Sequence, residues 1–175
     1  MNRAVKRILK AVENRQSAED YSEALRLVDE GLKGWPDHPR LLTLRGSLIQ
    51  LLDEDRGPSL EEAKASLAAA IESDPTAIEP LVELGQYLYA VEDDAKAAVK
   101  QFAIAEQLAE KAWIESLIGR LKCLKELGRD HDVWQCFTRL SLLLANSPYK
   151  DDLTEQIEDE LSEFLEERHA GSQPA

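Results

Sequence analysis

The sequence predicts an all-α protein built from repeating helix pairs, and three observations favour this fold class. Apolar residues recur three and four positions apart, as on one helix face, and the alternating runs typical of strands are missing. Similar helical phrases contain a glycine each, and Gly85 and Gly119 lie 34 residues apart. Polar turns such as Asp74-Pro75 separate the phrases. A fixed period of this length is typical of stacked helical repeats.

The best-formed phrase contains a small residue in each of two consecutive predicted helices. Its apolar and small positions are Leu81, Leu84, Gly85, Leu88, Ala98, Phe102 and Ala105. Residues three and four apart are neighbours on a helix, so the first four share one face. We expect Gly85 to let the second helix approach closely and Phe102 to fill the space beside it.

A second phrase precedes this one and has the same order of residues: Leu42, Gly46, Ile49, Ala63, Leu67 and Ala70, followed by Asp74-Pro75. The interval from Gly46 to Gly85 is 39 residues. The extra length falls in residues 53–58, a polar stretch with Gly and Pro that predicts a connecting loop. Ser59 and Glu62 then have the spacing of a capping box that starts the next helix.

These two phrases resemble the tetratricopeptide repeat, and the chain is similar to that family over about residues 4–148. The resemblance implies a right-handed α-solenoid of about four antiparallel helix pairs plus a C-terminal capping helix. We place the repeats at residues 4–38, 39–76, 77–110 and 111–148, and the capping helix at 149–169. Together they form one predicted domain, 1–169, followed by a flexible tail at 170–175.

The terminal repeats follow the family pattern less closely, as terminal repeats often do. The first has Val12 where the family has glycine. In the fourth, Gly128 is expected to end the first helix. The second helix of the fourth repeat fits two registers, Val133, Phe137 and Leu140 or Cys136, Leu140 and Leu143. The capping helix is predicted from an apolar stripe of Leu153, Ile157, Leu161, Phe164 and Leu165.

The resemblance implies a binding groove, because partner peptides of the family usually contact the first helix of each pair on the concave surface. Aligning the glycines transfers these positions to Arg40, Thr43, Ser47 and Gln50 in the second repeat, Glu79, Val82, Gln86 and Tyr89 in the third, and Trp113, Ser116, Arg120 and Cys123 in the fourth. Tyr89 and Trp113 are of the types enriched at binding hot spots, or they pack between repeats. The Lys, Arg and Asn clamp by which one subgroup holds a C-terminal carboxylate is missing.

Charge is unevenly distributed along this chain of net charge −13. Residues 151–175 contain nine acids and one base, whereas residues 1–16 contain five bases and one acid. Both ends are solvated helix faces, or the acidic end binds a basic protein partner or the basic helix of another copy. The second alternative predicts a weak homo-oligomer that salt disrupts.

Several function classes are disfavoured by the sequence. The basic cluster of residues 3–10 is too small for nucleic acid against the overall charge. No stretch is apolar enough for membrane insertion, and the first ten residues lack a signal-peptide core, so we expect a cytoplasmic location. No metal-ligand or phosphate-loop motif occurs, which predicts no cofactor, no metal and no enzymatic activity. Cys123 and Cys136 are expected to be small core residues.

The sequence therefore predicts an adaptor or scaffold that binds a peptide or partner protein in its groove. Three alternatives remain at this point. The protein is a small acidic chaperone of one client, an inhibitory or immunity protein that covers a basic active site, or a self-assembling structural module. None of these alternatives is separated from the first by residue patterns alone.

Overall fold

The prediction of an all-α fold is confirmed. The computed structural model of the protein describes residues 2–52, 57–145, 147–149 and 157–166, and these residues contain helices and turns but no strand. The helices are α1 (Arg3–Ser17), α2 (Tyr21–Gly34), α3 (Pro39–Ile49), α4 (Leu60–Ser73), α5 (Ile78–Ala90), α6 (Ala95–Glu126) and α7 (Asp130–Leu144). Residues 157–166, here called α8, are also helical.

The chain divides into two compact units, Met1–Leu108 and Ala109–Ala175. In the first unit, each of the helices α1 to α4 packs against the helix that follows it, and α3 also contacts α5. Packing between consecutive elements is what a helical repeat requires. The core of this unit is continuous and includes Val12, Val28, Leu41, Leu48, Leu67 and Leu88.

Polar caps begin four of the helices at the positions where backbone N–H groups lack a partner within the helix. Asn2, Asp20 and Asp94 accept hydrogen bonds from backbone N–H groups at the starts of α1, α2 and α6. Ser59 accepts one from the N–H of Glu62 at 3.4 Å, which confirms it as the N-cap of α4. The predicted loop before it falls partly outside the described residues, because residues 53–56 are not among them.

Two glycines of the first unit lie where a side chain would collide with the neighbouring helix. A Cβ atom at Gly85 would be 2.7 Å from Phe102 Cε1, and one at Gly46 would be 2.6 Å from Leu67 Cγ. The same atom at Gly46 would be 2.9 Å from the backbone oxygen of Ala63, which cannot move aside. The expected close approach at Gly85, with Phe102 beside it, is confirmed.

Helix α6 is continuous where the repeat pattern places a boundary between residues 110 and 111. The earlier boundaries contain proline, as at Pro39 and Pro75. The sequence here is Ala109-Glu110-Lys111-Ala112, all strong helix formers without Gly or Pro. Since no residue in this stretch opposes helical backbone, one helix of 32 residues replaces the end of one predicted helix and the start of the next.

The second unit contains the later part of α6, α7 and α8. Its core joins residues of all three, among them Ile114, Leu121, Val133, Leu140, Ile157 and Phe164. Both registers considered for α7 contribute, because Val133, Phe137, Cys136 and Leu140 are all buried. The Sγ atom of Cys136 lies 3.6 Å from the backbone oxygen of Leu117, so this small side chain marks a close approach of α7 to α6.

Gly119 does not repeat the packing of Gly85. It is exposed, and a Cβ atom there would meet nothing within 4 Å. Gly128, by contrast, ends α6 as expected, with the left-handed φ of +64° that glycine adopts without strain. Cys123 corrects another expectation, because it is exposed on α6, whereas Cys136 is buried.

Aromatic contacts and ion pairs hold α8 within the second unit. Phe164 packs edge-on against Trp134, with ring centroids 5.7 Å apart, and lies 6.4 Å from Phe137. Lys125, on α6, donates hydrogen bonds to carboxylate oxygens of Glu160 at 2.9 Å and Glu163 at 3.0 Å. The predicted capping helix is thus seen in part, while Leu153 and the tail 170–175 lie outside the described residues.

Candidate functional site

The first helices of the three pairs in the first unit expose polar side chains on a common surface. We call this surface the inner face. Its residues on α1 and α3 that line one groove are Lys6, Leu9, Lys10, Glu13, Gln16, Arg40 and Leu44. Arg40 and Ser47 of α3 are hydrogen-bonded to Glu79 and Glu83 of α5, and Gln86 follows Glu83 on the same helix face. Each helix turns its apolar side into the core, with Val5 and Val12 of α1, Leu41 and Leu48 of α3, and Leu81 and Leu88 of α5 buried. The amphipathic pattern of each helix therefore decides which residues the inner face displays.

An open groove of about 460 Å³ lies between α1 and α3 on the inner face. Leu9 and Leu44 provide its apolar surface, and both are partly buried against the core. Its polar lining consists of Lys6, Lys10, Glu13, Gln16 and Arg40. A groove with an apolar strip and polar borders suits a peptide, whose side chains need burial and whose backbone needs hydrogen-bond partners.

Hydrogen bonds join α3 to α5 across the inner face. Arg40 Nη1 lies 2.8 Å from Glu79 Oε2, and Ser47 donates its hydroxyl to Glu83 Oε2 at 2.6 Å. The Arg40–Glu79 pair is about half exposed on both sides, so its contribution to stability is small. The Glu79 carboxylate can still accept a hydrogen bond from a further donor.

Three of the residues predicted for the groove, Thr43, Ser47 and Gln50, are hydrogen-bonded to backbone oxygens of their own helix. Thr43 is only 2 % exposed and donates its hydroxyl to the backbone oxygen of Pro39 at 2.9 Å. Gln50 is half-buried and donates its side-chain amide to the backbone oxygen of Gly46 at 3.2 Å. Thr43 is therefore closed to a partner, because its side chain faces the core.

Of the remaining predicted residues, Val82 is, like Ser47, partly buried and the others are exposed, and they do not all lie in one unit. Gln86 and Tyr89 project from α5, and Tyr89 is 64 % exposed. Trp113, Ser116 and Arg120 belong to the second unit, where they are exposed on α6, with Trp113 48 % exposed. Among the predicted residues, the structure places Arg40 of α3 in contact with Glu79 of α5 within the first unit.

Charge changes sign across the inner face. Lys6 and Lys10 form its α1 edge, and neither makes an ion pair with any residue that the structure describes. Glu79 and Glu83 form its α5 edge, one helical turn apart. Arg40 lies between these edges and turns toward Glu79. The inner face therefore has a basic edge and an acidic edge with α3 between them.

The opposite side of α3 is fixed by a half-buried guanidinium. Arg45 bonds Asp29 of α2 at 2.9 Å, Ser66 of α4 at 2.8 Å and Glu62 of α4 at 2.8 Å. Burial opposes the charge of Arg45, but hydrogen bonds to Glu62 and Asp29 outweigh it and raise its pKa above the usual value. The hydrogen bond from Arg45 lowers the pKa of Glu62. These contacts hold α3 between its neighbours and so position the inner face.

Lys6, Lys10, Leu44 and Glu83 belong to the inner face but were not among the residues predicted for it. The predicted set began with the second repeat, because Val12 replaces the glycine by which the first repeat would have been aligned. The i, i+4 spacing of Lys6 and Lys10, opposite the buried Val5 and Val12, was the available signal. Glu83 has the same relation to Glu79 on α5.

In the described ranges, no group of three or more His, Cys, Asp or Glu side chains is placed to hold a metal ion. Among the helices that the structure describes, none combines the length and apolarity needed to cross a bilayer. The groove of the inner face combines an apolar surface with charged borders, which suits a peptide ligand.

Comparison with known proteins adds no identity. No model of a known protein family matches the chain, and no curated protein matches it significantly.

Proposed function

We propose that this chain is a non-enzymatic interaction module that binds an extended segment of a partner protein along the inner face. The observation that carries this proposal is the groove of about 460 Å³ between α1 and α3. It offers an apolar strip at Leu9 and Leu44 between polar borders. An extended segment can bury one side chain there while its neighbours reach the charged edges.

We also propose that the first unit consists of tetratricopeptide-type repeats arranged as a right-handed α-solenoid. The close helix approaches at Gly46 and Gly85 support this, since the family places a small residue where paired helices meet. Packing of consecutive helices supports it as well. A solenoid presents its first helices side by side, which is how one segment would contact α1, α3 and α5 together.

A peptide is a better ligand for this surface than a small molecule. Small-molecule sites are mostly apolar and enclose most of the ligand. Here the groove is open, and five of its seven lining residues are polar or charged. A long ligand that makes several weak contacts therefore fits better than a compact one that needs enclosure.

Selection from a random peptide display library, followed by amide NMR, tests the proposal. A selected peptide is added to the isotope-labelled full chain, and shifts of backbone signals are measured. We expect the largest shifts at inner-face residues such as Lys10, Arg40, Ser47 and Gln86. Shifts confined to α2 and α4, the second helices of their pairs, or to the second unit, would place the binding site elsewhere.

A matched pair of variants separates binding from folding. Leu44→Ser removes apolar surface from the groove, and Leu27→Ser removes a comparably placed, partly buried leucine from α2. Both should weaken the fold similarly, but only Leu44→Ser should reduce peptide affinity. Equal affinities for the two folded variants would contradict the proposal, and circular dichroism confirms that each is folded.

A further inference from the structure

The order of charges across the inner face carries a further inference, which rests on the proposed function. The basic edge lies on α1 and the acidic edge on α5, and α3, which carries Leu44, shares the groove with α1 and is hydrogen-bonded to α5. We propose that the preferred ligand is a segment with acidic residues at one end, an apolar residue in the middle and basic residues at the other end. The face thereby selects the charge order of its ligand.

The basic edge is free to bind carboxylates. Lys6 and Lys10 are exposed, line the groove and make no ion pair within the described part of the chain. Their spacing of four residues aims both ammonium groups at the same side of α1. The protein has a net charge of −13, so two unpaired lysines beside the apolar strip form a locally basic site. Electrostatic attraction directs acidic residues of a ligand to this site. Glu13, three residues after Lys10, also lines the groove, and the basic edge ends at this acidic residue.

The acidic edge offers carboxylates that are only partly engaged. Glu79 bonds Arg40 through Oε2, and Glu83 bonds Ser47 through Oε2. The second oxygen of each carboxylate has no hydrogen bond among those of the described residues. An ionised carboxylate has about four acceptor positions, so each of these groups retains capacity for a lysine or arginine of the ligand.

The apolar strip lies between the two edges, which sets the spacing expected in the ligand. Helix α3 packs against α5, whereas α1 faces α3 across the groove. Packed helices are about 8–10 Å apart, so α1 and α5 are separated by at least roughly 16–20 Å. An extended chain advances about 3.3 Å per residue, so the acidic and basic residues of the ligand should be at least about five to six residues apart, with the apolar residue near Leu9 and Leu44.

Binding of synthetic peptides to the full chain tests this inference. The ordered probe has two glutamates, a central leucine and two lysines, with its ends acetylated and amidated so that no terminal charge contributes. A second probe has the same composition with glutamate and lysine alternating. A third keeps the glutamates and replaces the lysines by glutamine. Fluorescence anisotropy should give the highest affinity for the ordered probe, and added salt should reduce it.

Charge reversal on the protein identifies the basic edge. Lys6→Glu with Lys10→Glu should weaken binding of the ordered probe about tenfold, because two attractions become repulsions. Replacing the probe's glutamates by lysines should restore binding to this variant. Lys96→Glu with Lys100→Glu is the matched control, since these lysines are also exposed and four residues apart on a helix. That control should leave affinity unchanged.

Charge removal identifies the acidic edge. Glu79→Gln with Glu83→Gln keeps hydrogen-bonding side chains but removes both charges. The affinity for the ordered probe should therefore fall. The affinity for the glutamine-containing probe, which has no lysines, should stay the same. Glu106→Gln on α6 serves as an exposed control within the first unit. An equal effect of the α5 variant on both probes would overturn the role of the acidic edge.

The outcomes separate this inference from the proposed function. Equal affinity for the ordered and alternating probes, with loss on Leu44→Ser, would overturn the charge order but keep the inner face as a binding site. Equal affinity for the ordered and glutamine-containing probes would likewise overturn it. If library-selected peptides and all three probes fail to bind the inner face, the proposed function falls as well.

Discussion

The two units bring their helices together by different means. In the first unit, Gly46 and Gly85 remove side chains where α4 and α6 approach α3 and α5. In the second unit, Gly119 faces open space, and the close approach falls instead at Cys136, beside the backbone oxygen of Leu117. Equal spacing of glycines in a sequence therefore does not establish equal packing. What matters is whether a neighbouring helix faces the glycine, and neither the interval nor the residue type reveals this.

The largest expected effect comes from the aromatic contacts of the second unit. Phe164 is 3 % exposed and packs against Trp134 and Phe137. Phe164→Ala should lower the free energy of unfolding by about 3–5 kcal/mol, as buried Phe to Ala changes do. Hydrogen exchange should show the loss in α7 and α8, with α3 and α4 protected as before. Equal loss of protection in α3 and α4 would show that the two units unfold together.

A smaller effect is expected at the glycine contact of the first unit. Gly46→Ala places a Cβ atom against Leu67 and the backbone oxygen of Ala63. Because the backbone cannot yield, overpacking should destabilise the unit by about 1–3 kcal/mol. Urea denaturation measures this change. A more stable Gly46→Ala variant would mean that α3 and α4 are not held as closely as described.

The ion pairs of Lys125 make the stability of the second unit depend on pH. Burial opposes the charge of the Glu160 carboxylate, but hydrogen bonds from Lys125 and Lys122 outweigh burial and lower its pKa. Burial also opposes the charge of Lys125, whose pKa is nevertheless raised by bonds to Glu160 and Glu163. Lys125→Met should cost about 1–2 kcal/mol at neutral pH, since Lys122 still pairs with Glu160.

The sign of the pH effect follows from these directions. Since the pKa of Glu160 is lower in the folded protein, its contribution is complete above the ordinary value of 4.5 and is lost as pH falls through the folded-state pKa. The Lys125 contribution is lost only as pH rises above the ordinary value of 10.5. The difference in unfolding free energy between wild type and Lys125→Met, measured in urea, should therefore narrow as pH falls below the ordinary value of 4.5. If wild type and Lys125→Met differed equally in stability at acidic and at neutral pH, the Lys125–Glu160 ion pair would be excluded as the cause.

The smallest expected effect has the opposite sign. Gly119→Ala adds a side chain where nothing lies within 4 Å, in the interior of α6. Because alanine favours helix more than glycine, the change should raise the free energy of unfolding by up to about 1 kcal/mol. Thermal denaturation of Gly119→Ala and Gly46→Ala, each against wild type, measures the two changes in stability side by side. Destabilisation by both substitutions would show that Gly119 has a packing role after all.

The sequence predicted the helices of the first unit well, because periodic apolar residues, caps and proline-containing turns act locally. Ser59 and Gly128 begin and end helices as expected for this reason. The continuity of α6 was missed because the repeat pattern outweighed the helix-forming residues 109–112.

The inner face was predicted in part, for a different physical reason. Glu79 and Gln86 are exposed on a regular helix, so spacing from Gly85 was sufficient to place them. Thr43 is buried because α3 is covered on several sides, which depends on α2, α4 and α5 together. Pairing of Arg40 with Glu79 depends on two helices 39 residues apart in sequence. Contacts between helices cannot be read from one helix alone.

The contrast between the two cysteines has a practical consequence for spectroscopy. Cys123 is exposed and Cys136 is buried, and burial raises the pKa of the Cys136 thiol. Since thiolate is the reactive form, a maleimide should attach to Cys123 in the native protein and leave Cys136 unmodified. A fluorescent label can therefore be placed without altering the sequence. Slow modification of the remaining thiol then reports how often α7 separates from α6, in real time and under native conditions.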